Sequence, residues 1–191
     1  MKPVERSEIL SLGAYEEIRD RFRARIIAEK KNRRLAVGAN MTALFENHDT
    51  VLYQIQEMLR TERITSESGI AHEIETYNTL VPAADELCMT LLVEYPEKKE
   101  RDRMLVELAG LEETVYVSVG GTRVLGAAEA RSDDHSRTTA VHYLKFALGR
   151  ELTQALQRGA PASVGVDHPK YRVETPLGKE TRASLVADLT A

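Results

Sequence analysis

The chain has 191 residues, of which 42% are hydrophobic and 29% charged, enough for one or two compact domains with a real core. Its net charge of −4 gives no global attraction for nucleic acid or acidic membranes, so neither is expected as a partner. The single cysteine, Cys88, excludes an internal disulfide framework and a cysteine-based metal cluster built by this chain alone. The run "LCMTLLV" is too short to span a bilayer, and "MKPVERSEIL" has no apolar leader, so the expected location is cytoplasmic.

In chain order, Tyr15, Ile18, Phe22 and Ile26 recur at helical spacing and predict a helix over 14–32, with acids in its first turn and cations at its end. "RLAVGANMTALFE" reads as a β-hairpin around a Gly38 to Asn40 turn. "TVLYQIQEMLRTERI" is the next helix, with Asp49 or Thr50 as its N-cap, and "IAHEIETYN" resumes helix until Pro82. From Leu87 the pattern changes. "LCMTLLVEY" is a strand buried on both faces, "PEKKERDRMLVELAG" a helix closed by Gly110, and "TVYVSV" and "TRVLGAAEA" are paired strands around Gly120 and Gly121. "TAVHYLKFAL", "RELTQALQRG" and "SVGVDHP" then add strand, helix and strand, and "GKETRASLVADLTA" a terminal helix.

This order predicts an α+β protein. A helix-hairpin-helix layer, residues 1–85, packs on a ferredoxin-like (split βαβ) antiparallel sheet with an extra hairpin strand, residues 86–170. A helical tail follows over 171–191, and the whole could form one compact domain.

The helix over 50–64 carries the candidate chemistry. At about 100° per residue, Val51, Leu52, Ile55, Met58 and Leu59 share one stripe, and Glu62 falls within it. A buried carboxylate must be protonated, hydrogen-bonded, ion-paired or metal-bound, unless the helix end frays and frees it. On the opposite side Tyr53, Glu57 and Arg60 align, so either Glu57 and Arg60 form a solvated pair or Tyr53, Gln54, Glu57 and Arg60 face a cavity or partner. Strand alternation places His142 with Ala140, Leu144 and Phe146, toward the core, and His168 at a strand end before Pro169. Glu57, Glu62, His142 and His168 are ligand types suited to iron, manganese or zinc, although no Glu-x-x-His or His-Glu-x-x-His spacing supports them. The eight Lys or Arg residues from Arg19 to Arg34 read as a solvated helix face.

"ARIIAEKKNRRLAVGANMTALFENHDTVLYQIQEMLRTERI", "YNTLVP", "AVHYLKFAL" and "GVDHPKY", in that order, resemble a bacterial family of unknown function over about Leu10 to Leu189. One departure is Gly38-Ala39, where the family pattern has Gly-Pro. The motif residues brought over are Tyr53, Gln54, Glu57, Arg60, Glu62, Asn78, Pro82, His142, Asp167, His168 and Pro169, and the resemblance implies no role for them. It does imply company, because genes of this family often neighbour a rubrerythrin and an iron–sulfur oxidoreductase. Two functions are therefore expected to compete: an accessory or interaction protein, homo-oligomeric, in a cytoplasmic redox or oxidative-stress system; or a metal-binding protein or metal-dependent enzyme using the Glu/His set.

Overall fold

The computed structural model describes residues 1–128 and 136–190. After a 3₁₀ turn at Arg6–Glu8 come α1 (Leu12–Lys31), β1 (Arg34–Ala36), β2 (Met41–Glu46), α2 (His48–Glu62) and α3 (Glu67–Asn78). Next are β3 (Glu86–Val93), α4 (Lys98–Glu107), β4 (Val115–Val119), β5 (Thr122–Leu125) and β6 (Ala127–Ala128). The chain continues through β7 (Val141–Ala147), α5 (Gly149–Gln157), β8 (Ala162–His168), β9 (Tyr171–Pro176) and α6 (Lys179–Asp188).

The class is α+β with antiparallel pairing, but the strands divide between two sheets ordered β1-β2-β3-β7-β6 and β5-β4-β8-β9. The split βαβ arrangement requires its two central strands to be neighbours, and β3 and β7 are. Its outer strands, β4 and β8, leave that sheet and pair with each other. The reason lies in which side chains need covering. Phe45, Met89 and Leu144 stand in register across the first sheet, and Val115, Val117, Val164 and Val166 line the second. All are buried in one apolar core between the sheets, a sandwich that a single sheet could not form.

The β9 strand is absent from the sequence reading because "YRVETP" alternates only between half-buried and exposed positions and ends in proline, an edge-strand composition with little hydrophobic signal. The Gly38 to Asn40 turn is present. Tyr171 donates its hydroxyl to Val37 O at 2.7 Å and accepts from Asn40 N at 3.1 Å, and its ring leaves no room for a side chain at Gly38 (φ 72°).

β2 pairs with β3 from Met41↔Val93 to Glu46↔Cys88, so the first hairpin belongs to the same sheet as β3, β6 and β7. A second, smaller apolar core lies between helices. Val51, Ile55 and Leu59 of α2, Ile70 of α3 and Leu80 form it, and Val4 and Ile9 of the N-terminal segment complete it. The C-terminal helix α6 is also integral, since Leu185 is fully buried in the main core.

Candidate functional site: the polar layer between α1 and α2

α2 starts one residue after Asn47, whose side chain accepts the Thr50 N–H at 2.9 Å. Asn47 is thus the N-cap, where the sequence suggests Asp49 or Thr50, because the capping oxygen must lie before the first helical turn. The helix ends at Glu62, where Arg63 adopts left-handed backbone (φ 55°). This stop decides the environment of Glu62: the apolar seam through Val51, Ile55 and Leu59 is buried, but its last position is solvent-exposed. The carboxylate at the end of the stripe reaches water and carries no buried-charge penalty. Glu62→Ala is expected to change the unfolding free energy by less than about 0.5 kcal/mol, measured by urea denaturation.

The opposite row of α2 is half-buried. It packs on α1. The Oε1 of Glu57 accepts from the Tyr15 hydroxyl at 2.7 Å and from Arg19 Nε at 2.8 Å, while its Oε2 accepts from Arg19 Nη2 at 2.9 Å. Arg60 turns to Glu16 of α1, at 2.6 Å. The i, i+3 arrangement of Glu57 and Arg60 along α2 therefore gives way to two pairings across helices. Tyr53 meets Phe22 edge to face, with ring centroids 5.8 Å apart, and the Lys30 ammonium sits 5.7 Å from the Tyr53 ring centre. Gln54 lies on the other side, beside Tyr77 of α3.

The electrostatics match this geometry. The Arg19 hydrogen bond holds the Glu57 carboxyl below its usual range, against the upward push of burial, with the Tyr15 bond adding to the lowering. Burial first, and then Glu57, pushes the Tyr15 hydroxyl well above the ordinary tyrosine range. Near neutral pH, Glu57 is an ionised acceptor and Tyr15 a protonated donor, which suits a fixed pair and not a general acid or base.

The histidines lie elsewhere. His142 faces the core side of β7, as alternation requires, and is 7% exposed. Its Nε2 is 3.1 Å from Thr138 Oγ1, which donates to Glu112 at 3.0 Å; the His142 Nδ1 is 4.0 Å from the same Glu112 oxygen. His168, also buried, has Nε2 at 3.2 Å from Ala109 O and Nδ1 accepting the Lys170 N–H at 3.2 Å, a pattern that selects the neutral Nε2–H tautomer. Glu57, Glu62, His142 and His168 thus occupy separate settings with separate partners. Among the described residues no group of three or more His, Cys, Asp or Glu could hold a metal ion. The proposed iron, manganese or zinc ligands are scattered because periodicity places residues on faces but does not tell which faces meet.

Of the remaining histidines, His72 is exposed, His48 contacts the N-terminal segment, and His135 lies outside the described residues. Cys88 is buried, and burial, assisted by Glu86, pushes its thiol up to about 12, so it is a poor nucleophile. The adjoining pocket, lined by Leu80, Cys88, Tyr143, Leu144 and Lys145, has a volume of about 10 Å³, room for one water.

The family pattern described as "Protein of unknown function (DUF3501)" matches residues 3–189. The chain belongs to this family. Among solved structures it is similar to a crystal structure of a novel protein of unknown function from Burkholderia pseudomallei K96243. The two share 38% sequence identity over 98% of this chain and 100% of that one, with a TM-score of 0.93. No match was found among curated proteins.

This DUF3501 chain also contains polar clusters that its sequence does not announce. Arg33, 2% exposed, donates to both oxygens of Asp188 at 2.6 and 2.7 Å and to Glu29 at 2.7 Å. Glu29 also accepts from Asn47 at 3.1 Å, and through Thr50 the chain of bonds reaches the buried Glu46, which Thr90 contacts at 2.6 Å from β3. α1, α2, α6 and the first sheet are thereby joined by one largely buried network, with Glu29 at its half-exposed edge. On the outer face of the second sheet Tyr116 lies over Gly165, with the Arg123 guanidinium 4.1 Å above its ring, and its hydroxyl donates to Glu174 at 2.8 Å. No sequence signal marks either cluster, since Arg33 and Asp188 are 155 positions apart.

Proposed function

We propose that this chain acts as an accessory, protein-binding component of a cytoplasmic redox or oxidative-stress system, and that its partner is a rubrerythrin or an iron–sulfur oxidoreductase. The observation that carries this reading is the engagement of Glu57. Both of its oxygens are taken by Tyr15 and Arg19, so the most unusual polar row in the sequence serves to bind α1 to α2. The dispersal of the Glu/His set supports contact over catalysis, and the class of partner follows from the gene company that the family resemblance implies. No described helix is long and apolar enough to cross a membrane, which agrees with a partner met in water.

The test is affinity capture of the chain, tagged at its terminus and expressed at native level, with the co-purifying proteins identified by mass spectrometry. Recovery of a rubrerythrin or an iron–sulfur oxidoreductase, reproduced with the two purified proteins, is the expected result. Recovery of neither, together with about one equivalent of iron, manganese or zinc in the untagged protein, would overturn it in favour of a metal protein.

A further inference from the structure

The N-terminal segment, residues 1–10, lies across α2 and α3 and contributes Val4 and Ile9, 2% and 6% exposed, to the smaller core. The way it is held is informative. The Asn78 carboxamide pairs with both main-chain groups of Val4, accepting its N–H at 2.8 Å and donating to its carbonyl at 2.9 Å. Gln56, itself 1% exposed, does the same at Leu10, at 2.8 and 3.3 Å. His48 Nδ1 meets the Lys2 carbonyl at 2.9 Å. Three side chains of α2 and α3 thus grip main chain, at residues 2, 4 and 10, and do not read side-chain identity. Two side-chain contacts add charge: His48 Nε2 to Glu8 at 2.9 Å and the two-point bond from Arg6 to the exposed Glu67 at 2.7 and 2.8 Å.

Main-chain bonds that give affinity, alternating with apolar pockets that give specificity, are how proteins recognise extended peptides. The geometry points to the α2–α3 groove being a peptide-binding site that the chain's own residues 1–10 occupy in cis. Its working ligand is a segment of a partner protein with two aliphatic residues five positions apart, the spacing of Val4 and Ile9, and an acid one position before the second, as at Glu8. This deepens the reading of the chain as a protein-binding component and rests on it. A tethered segment has an effective concentration of roughly millimolar. A free ligand must outcompete that, so the groove is closed until a partner segment displaces the strap.

The probe is a fluorescein-labelled peptide of residues 1–11, followed by anisotropy with the full chain. Wild type is expected to bind it at least 10-fold more weakly than the Val4→Ser, Ile9→Ser double variant, whose own strap no longer fills the pockets. Adding Gln56→Leu to that variant is expected to weaken binding at least 10-fold again. Absence of saturable binding to a double variant that keeps its circular dichroism, or binding indifferent to Gln56→Leu, would overturn the proposal. Should the double variant fail to fold, hydrogen exchange on wild type decides. Exchange of the Val4 and Leu10 amides at least 100-fold faster than that of Ile55 and Leu59 supports a strap that opens locally, whereas equal protection overturns it. Neither readout requires a redox partner, so failure here is distinct from failure of the affinity capture.

Discussion

Arg33→Ala is expected to destabilise the protein by about 3–5 kcal/mol, the largest effect of a single polar substitution among the described residues. The guanidinium is almost fully buried and neutralises two carboxylates, Glu29 in the last turns of α1 and Asp188 at the end of α6. Its removal leaves Asp188, only 11% exposed, without its cation, and leaves Glu29 holding Asn47 alone. Burial of the guanidinium opposes its charge, yet the bonds to Asp188 and Glu29 prevail and raise its pKa, so the ion pair is intact at neutral pH. Replacing Arg33 by lysine is expected to recover only part of the loss, because an ammonium cannot make the two-point bond to Asp188 while also reaching Glu29. Urea denaturation followed by far-UV circular dichroism measures both changes. The same experiment on Asp188→Asn separates the cost of the missing charge from that of the missing hydrogen bonds.

Glu57→Ala comes next in expected effect, at about 1–3 kcal/mol, since it strands the fully buried Tyr15 hydroxyl without an acceptor. Tyr15→Phe in the same background should restore part of the loss, and a double-mutant cycle gives the coupling. The pH dependence has a definite sign. Glu57 has a lower pKa folded than unfolded, so its contribution is fully present above the unfolded value of about 4.3 and is lost as pH falls below it through the folded value. The stability difference between wild type and Glu57→Gln is therefore expected to hold between pH 5 and 7 and to shrink below about pH 4. A difference that grew on acidification would mean that Tyr15 and Arg19 do not hold the carboxylate in its charged form.

Much of the local structure was legible in the amino-acid order, and for local reasons. The alternation in "TAVHYLKFAL" sends His142 inward with Leu144 and Phe146, and the structure buries it on that side of β7. The row of Tyr53, Glu57 and Arg60 was visible as a row, because helical periodicity alone sets which residues share a face. What the row meets was not visible. Glu57 binds Arg19 and not Arg60 because α1 and α2 pack closely enough for Tyr15 and Arg19 to reach it, and that register is a property of two surfaces. The fate of Glu62 turned on where the cover over the seam stops: it is the last residue of α2, exposed beyond the buried Leu59, and Arg63 in left-handed backbone ends the helix there.

Composition and periodicity by themselves determined that this is an α+β chain with an amphipathic α2, antiparallel hairpins and a cysteine buried in a strand. The division into two sheets, the late edge strand β9, the Asp188 partner of Arg33 and the N-terminal strap over α2 and α3 were decided only in three dimensions. Hydrophobic period is a short-range quantity that records which face of an element must leave water. The choice among possible covers for that face depends on shape, on chain connectivity and on pairing buried polar groups that lie far apart in sequence, as Arg33 and Asp188 do.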